Sequence, residues 1–174
     1  MAHKEPADTR LDPRYSDPKA VAGSWADAVT RLTEAEIFWL TTVRPDGRPH
    51  VTPLLAVWWR DALYFSSGER ERKVLNLNEN REVVLTTGTN TLGEGQDLVI
   101  EGEAVQETDE ARLGELAALW ERKYGSDWHF EVRDGAFEGK WGPVPVFGVA
   151  PRTAFGFAKA PYSQTRWRFA RRQP

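Results

Sequence analysis

Short apolar or alternating segments, separated by Gly, Pro and Asp turns, recur along most of the 174-residue chain. That pattern predicts strands joined by hairpins, with a few helices between them. Residues 1–20 hold Pro6, Pro13 and Pro18 among mostly polar neighbours, which predicts an extended arm, poorly ordered alone. The remainder, 21–174, reads as one domain. Ser24 is a fitting N-cap for a helix from Trp25 to Leu32, and Thr33 with Glu36 has capping-box spacing for another short turn. Ile37, Phe38, Trp39 and Leu40 open a strand that runs through Val43. Arg44-Pro45-Asp46-Gly47-Arg48 is a turn, because Pro presets φ at its second position and Gly accepts positive φ at its exit.

The return strand, His50–Trp59, carries apolar residues on both faces, as a strand covered on both sides would. Pro53 inside it removes a ladder donor. Two outcomes fit: a break in pairing that frees backbone groups for a planar ligand, or a simple edge strand. After a tight turn at Arg60-Asp61, strands are expected over 62–66 and 81–87, then a flexible loop over 88–95. Asp97–Glu107 alternates cleanly as a further strand. Asp109 caps a helix through Lys123, whose Leu113, Leu116, Ala117 and Trp120 form one apolar stripe before Gly125 stops it. Residues 126–142 read as irregular and aromatic. Val144–Phe157 gives a strand pair, 158–164 a loop, and Arg166–Ala170 the last strand. The sum is a mainly β protein: a barrel of six or seven largely antiparallel strands with helical insertions.

The most suggestive stretch for chemistry is 62–87. A strand end, Ser66-Ser67-Gly68, precedes a polar helix with Arg70, Arg72 and Lys73 in its first turns. Hydroxyls, a glycine, free helix N–H groups and cations at one corner suit a phosphate. The plainer reading is a solvated face, since Glu69 and Glu71 alternate with the cations.

Composition narrows the classes. Eight Trp and eight Phe supply a core and apolar surface for an interface. The net charge of −3 argues against a general polyanion binder, so no nucleic-acid partner is expected. The charge is uneven: Arg152, Lys159, Arg166, Arg168, Arg171 and Arg172 stand in a C-terminal stretch without Asp or Glu. That stretch is either a solvated tail or a complement to an anion. The absence of cysteine excludes disulfides, thiol catalysis and Cys-based metal sites. No apolar run reaches membrane-spanning length, and the N-terminus lacks a signal-peptide pattern, so a cytoplasmic protein is expected. His3, His50 and His129 do not fall at metal-ligand spacing, and no metal is expected. No nucleophile elbow or P-loop is present. Any redox chemistry would therefore reside on a cofactor.

The run YFSSGERERKVLNLNENREVVLTT resembles the central motif of the pyridoxamine 5′-phosphate oxidase-like split-barrel flavoproteins. In that family a strand end "F-x-T/S" is followed by "S/E-R-K", an Asn-rich helix and "N-P-R-V-x-L". The upstream FWLTTVRPDGRPHVTPLLAVWWRDALYF is similar to the family's first hairpin, and QTRWRF gives a weaker likeness near the C-terminus. The resemblance is strongest to an actinobacterial branch that includes users of the deazaflavin coenzyme F-420. It implies a homodimeric split barrel with F-420 or FMN in the groove between subunits. It further implies that Arg72 and Lys73 bind the phosphate, assisted by Ser66 and Ser67. Val51, Thr52 and Pro53 would contact the ring system, and Asp97 would lie near the cofactor. Trp167 and Arg168 would reach the partner's site, although ordinary barrel packing also accounts for Trp167. His50 stands where the vitamin oxidases carry arginine, and only a fragment of their C-terminal pattern is present. The implied function is hydride transfer between F-420 or FMN and a small organic substrate. A non-catalytic flavin- or deazaflavin-binding protein and a pyridoxamine 5′-phosphate oxidase proper remain the alternatives.

Overall fold

The computed structural model describes residues 4–140 and 142–170, so His3, Arg171 and Arg172 lie outside the described residues. Its strands are β1 (Asp8–Leu11), β2 (Phe38–Val43), β3 (Pro49–Leu54), β4 (Ala56–Trp59), β5 (Ala62–Ser66), β6 (Glu82–Thr87), β7 (Gln96–Glu107), β8 (Val132–Arg133), β9 (Ala136–Gly139), β10 (Gly142–Val144), β11 (Val146–Val149), β12 (Thr153–Lys159) and β13 (Tyr162–Arg168). Its helices are α1 (Trp25–Glu34), α2 (Arg72–Glu79) and α3 (Glu110–Tyr124). Ten strands join one sheet and β8–β10 form a second, small one. Every described pairing is antiparallel. The protein is thus mainly β, as its alternation predicts.

β7 organises the barrel. One of its edges pairs with β6 over Leu98–Glu103. The other pairs with β12 over Gln96–Glu101 and then with β11 over Ala104–Glu107. The change of partner occurs at Gly102, where an added Cβ would lie 2.5 Å from the Ala150 carbonyl oxygen in the β11–β12 connection. Glycine is needed there because the incoming backbone leaves no room for a side chain.

Several boundaries differ from the sequence expectation. The return strand is two strands, β3 and β4, and the break falls at Leu55 rather than at Pro53. Pro53 pairs opposite Trp39 in β3. Because β3 has β2 as its one described neighbour, it is a sheet edge, where proline is tolerated. Its faces are not both covered: Val51 is 51% exposed. The backbone groups freed near Leu55 are met by protein. Ala56 N–H donates to the Tyr124 hydroxyl (3.2 Å), and Lys123 Nζ donates to the Ala56 carbonyl (2.9 Å). Burial pushes Lys123 down to about 8. Thr33 starts no new turn. It lies in the last turn of α1 and donates to the Val29 carbonyl (2.8 Å). The loop expected over 158–164 is a tight turn at Ala160-Pro161 between long strands, because Ser163 and Thr165 face inward as small polar residues. Part of the N-terminal arm is docked, with β1 paired along β13. The aromatic stretch after α3 contains the β8–β9 hairpin.

Two apolar clusters hold the fold. Inside the barrel, Trp25, Val29 and Leu32 of α1 meet Phe38, Leu40, Leu85, Ile100 and Trp167. Ser24 caps α1 by accepting from Asp27 N–H (3.3 Å), which aims Trp25 inward. Trp25 and Trp167 ring centroids are 5.4 Å apart, and the Trp167 indole N–H donates to the Gly23 carbonyl (3.2 Å). Outside β4 and β5, the α3 stripe covers Val57, Tyr64, Phe137 and Val146. Among the described residues no helix is long and apolar enough to cross a membrane.

Trp167→Ala removes a fully buried indole and its hydrogen bond. It is expected to cost about 3–5 kcal/mol, read as a lowered midpoint in urea unfolding. A loss below about 1 kcal/mol would place Trp167 outside the core.

Candidate functional site

The corner after β5 is built by burial on one side and charge on the other. Leu63 and Phe65 anchor β5 in the core, and Ser67 N–H donates to the Pro145 carbonyl (3.1 Å), which fixes the chain's exit. A turn closes where Glu71 N–H donates to the Gly68 carbonyl (3.0 Å). α2 then starts at Arg72, with Glu71 in the N-cap position. Val74 and Leu77 bury one face of α2, and Lys73 and Asn76 are carried inward with them.

Three polar groups converge around one carboxylate. Ser67 Oγ donates to Glu71 Oε1 (3.0 Å), and Gly68 N–H donates to the same oxygen (3.0 Å). Lys73 Nζ pairs with Glu71 Oε2. Burial pushes the Glu71 carboxyl upward, but Lys73, the Gly68 N–H and the Ser67 hydroxyl outweigh it and hold its pKa below the usual value. The Lys73 side chain is 11% exposed and that of Glu71 52%, so the cation is fixed and the anion sits at the mouth.

His50, Thr42 and Asn76 adjoin this corner. Asn76 Nδ2 donates to Thr42 Oγ1 (2.9 Å), and the Thr42 hydroxyl lies 3.4 Å from His50 Nδ1. The His50 pKa is lowered by burial first and then by the charges of Arg44, Lys73 and Arg72. The Thr52 hydroxyl and the Asn76 carbonyl oxygen are buried without a hydrogen-bond partner among the described residues. Unpaired buried acceptors and donors are costly, and a ligand group that pairs with them recovers that cost. Donors, cations and unmet polar atoms together suit a polar, anionic ligand.

The structure gathers Ser67, Arg72 and Lys73 at this corner, with Ser66 at its threshold as the last residue of β5. Val51, Thr52 and Pro53 lie on neighbouring β3 but do not share a face. Thr52 lies in the inward row with Leu40, Leu85, Ile100 and Trp167, whereas Val51 and Pro53 point outward. Asp97 is the second residue of β7 and pairs with Lys159 Nζ (3.1 Å), which also holds the carbonyls of Thr89 and Thr91. The pair therefore ties down the 88–95 loop. Trp167 is a correction: its indole is fully buried against Trp25 and cannot touch a cofactor at the surface. Arg168 is exposed at the far end of the outward row Val51, Thr41, Val84, Glu101, Thr153, Arg168. Five inter-strand steps put it about 24 Å along the sheet from Val51. The two residues thus stand near opposite ends of the sheet.

His50, Thr42, Asn76 and Glu71 were missed as site residues. Two had a signal in the sequence. His50 alternates with Thr52 and so shares its face, and Asn76 stands three and four residues after Lys73 and Arg72 on the same helix.

The sequence matches the family model of pyridoxamine 5′-phosphate oxidase over residues 25–154. No curated protein matches it. Among solved structures, a conserved hypothetical protein from Mycobacterium tuberculosis superposes with a TM-score of 0.66 at 17% identity, covering 81% of this chain and 88% of that one. A FAD-binding protein from Mesorhizobium loti gives 0.59 at 16% identity, over 91% and 96%. A protein described as F420 reductase gives 0.54 at 21% identity, over 72% and 93%. At such identities the likeness to these structures is one of fold.

The geometry around His50 predicts a titration below 6.5, observable by NMR, with a midpoint that rises in Arg72→Ala and in Lys73→Ala. The unfolded chain binds this proton more readily. Stability associated with His50 is therefore present above pH 6.5 and is lost as pH falls through the folded-state value. A midpoint at or above 6.5 would remove His50 from the cationic corner.

Proposed function

The chain belongs to the pyridoxamine 5′-phosphate oxidase family, and on that premise we propose that it is a homodimeric oxidoreductase using coenzyme F-420 or FMN. The observation that carries this reading is the corner where Ser67, the Gly68 N–H and Lys73 converge on one anion beside Arg72. When bound, the cofactor supplies hydride chemistry toward a small organic substrate. The chain's own residues bind and orient it. Lys73 and Arg72 take the phosphate charge, Ser67 and Ser66 add hydroxyl donors, and the Thr52 hydroxyl and β3 backbone face the ring. His50, kept neutral first by burial and then by its cationic neighbours, adds no further charge to the corner near pH 7.

A dimer accounts for the outward sheet face. Pro53, Trp39, Thr86, Val99, Phe155, Arg166 and Arg10 form one row across seven strands. Trp39 is 50% exposed at the β3 end of that row. An apolar row ending in arginines suits a second copy laid across it. In that arrangement Arg166 and Arg168 serve the site of the other subunit, a role their place at the opposite end of the sheet from β3 supports.

Titration of the purified protein with F-420 and with FMN, followed by fluorescence, tests the cofactor. The double change of Arg72 and Lys73 to Ala is expected to weaken binding by at least about 100-fold, with the fold retained by circular dichroism. Unchanged affinity would refute the site. Bound cofactor that never changes redox state with any reductant and acceptor would instead favour a binding protein without turnover. Light scattering should give a dimer, and Trp39→Asp should shift it to monomer. A monomeric wild-type protein would refute the assembly.

A further inference from the structure

Glu71 does not do what its position suggests. As the N-cap residue of α2 it makes no side-chain capping bond to the helix. Its spacing to Gly68 is that of a capping box, yet Gly68 has no side chain to return the bond. The carboxylate turns back to the strand end instead. There one oxygen accepts from Ser67 Oγ and Gly68 N–H at 3.0 Å each, and the other pairs with Lys73. Half of a capping box accounts for the Gly68 N–H bond but not for the contacts with Ser67 and Lys73. These donors are also the ones assigned to the cofactor phosphate, and phosphate and carboxylate cannot share them.

We infer that Glu71 is the resident anion of the phosphate cradle, displaced by the cofactor phosphate when it binds. The inference rests on the phosphate reading of this corner. Its physical basis is the asymmetry of the pair. Lys73 is almost wholly enclosed and would be an uncompensated buried charge without a partner. Glu71 is half-exposed, so its carboxylate can move to water at small cost. Binding is then an exchange of one anion for another, and Lys73, Ser67 and Gly68 stay in place throughout. An uncharged ring compound cannot drive that exchange. Glu71 thereby makes the corner selective for ligands that carry a phosphate and discounts their affinity by the cost of its own departure.

The test compares ligand pairs differing in the phosphate: FMN with riboflavin, and F-420 with its phosphate-free ring core. Each is titrated into wild-type, Glu71→Gln and Glu71→Ala protein. Glu71→Gln keeps the length of the side chain and removes its charge. The phosphate-dependent gain in affinity is expected to rise about tenfold in both variants, while affinity for the phosphate-free partner stays level. Ligand-free Glu71→Ala should melt lower than wild type, and FMN or F-420 should raise its melting temperature by more. An unchanged or smaller phosphate-dependent gain in both variants would overturn the inference. If wild-type protein binds both members of each pair equally, or binds none, the phosphate corner itself fails and this inference with it. A wild-type preference for the phosphorylated member with no effect of Glu71 overturns the inference alone.

Discussion

The architecture depends on one strand keeping three partners. β7 pairs along one edge with β6 and along the other with β12 and then β11, and the exchange is possible because Gly102 lets the β11–β12 connection approach its backbone. From that branch the sheet runs one way through β6 and β2 to β3, and the other way through β12 and β13 to β1. The two ends carry different chemistry. The β3 end holds His50 and Thr52 next to α2, and the β13 end holds Arg166 and Arg168. Burial of Trp25, Leu40, Ile100 and Trp167 on the inner side fixes which residues face outward along that path.

The corner beside β3 is a problem in electrostatics before it is a binding site. Lys73 is drawn inward because Val74 and Leu77 must be buried and the helix turns it with them. An enclosed ammonium needs an anion, and Glu71 supplies one from the mouth of the corner. The proposed phosphate site would draw on the same requirement. His50 adjusts to it by remaining neutral, and the unpaired Thr52 and Asn76 oxygens mark the side from which a ligand would complete the hydrogen bonding.

Much of this was legible in the residues. The alternation of β7, the α3 stripe, the Ser24 and Asp109 caps and the Arg44–Arg48 turn are local signals, and each element formed where its pattern placed it. Ser67, Arg72 and Lys73 were legible as a group because sequence neighbours after a strand end must also be spatial neighbours. Long-range choices were not. Alternation showed that Trp167 opposes Arg166 and Arg168, but which side is interior depends on Trp25, far away in sequence. The exposed edge of β3 depends on what pairs beside it, and Pro53 alone could not distinguish an edge from a break. Glu71 read as solvent because charge alternation carries no information on where a carboxylate turns.

The most direct measurement is a crystal structure of the protein with F-420 or FMN bound. The expected result is a dimer with the phosphate within hydrogen-bond distance of Lys73 Nζ, Ser67 Oγ and the Gly68 N–H, and with the Glu71 carboxylate turned to solvent. A cofactor bound elsewhere, with the Lys73–Glu71 pair intact, would contradict it.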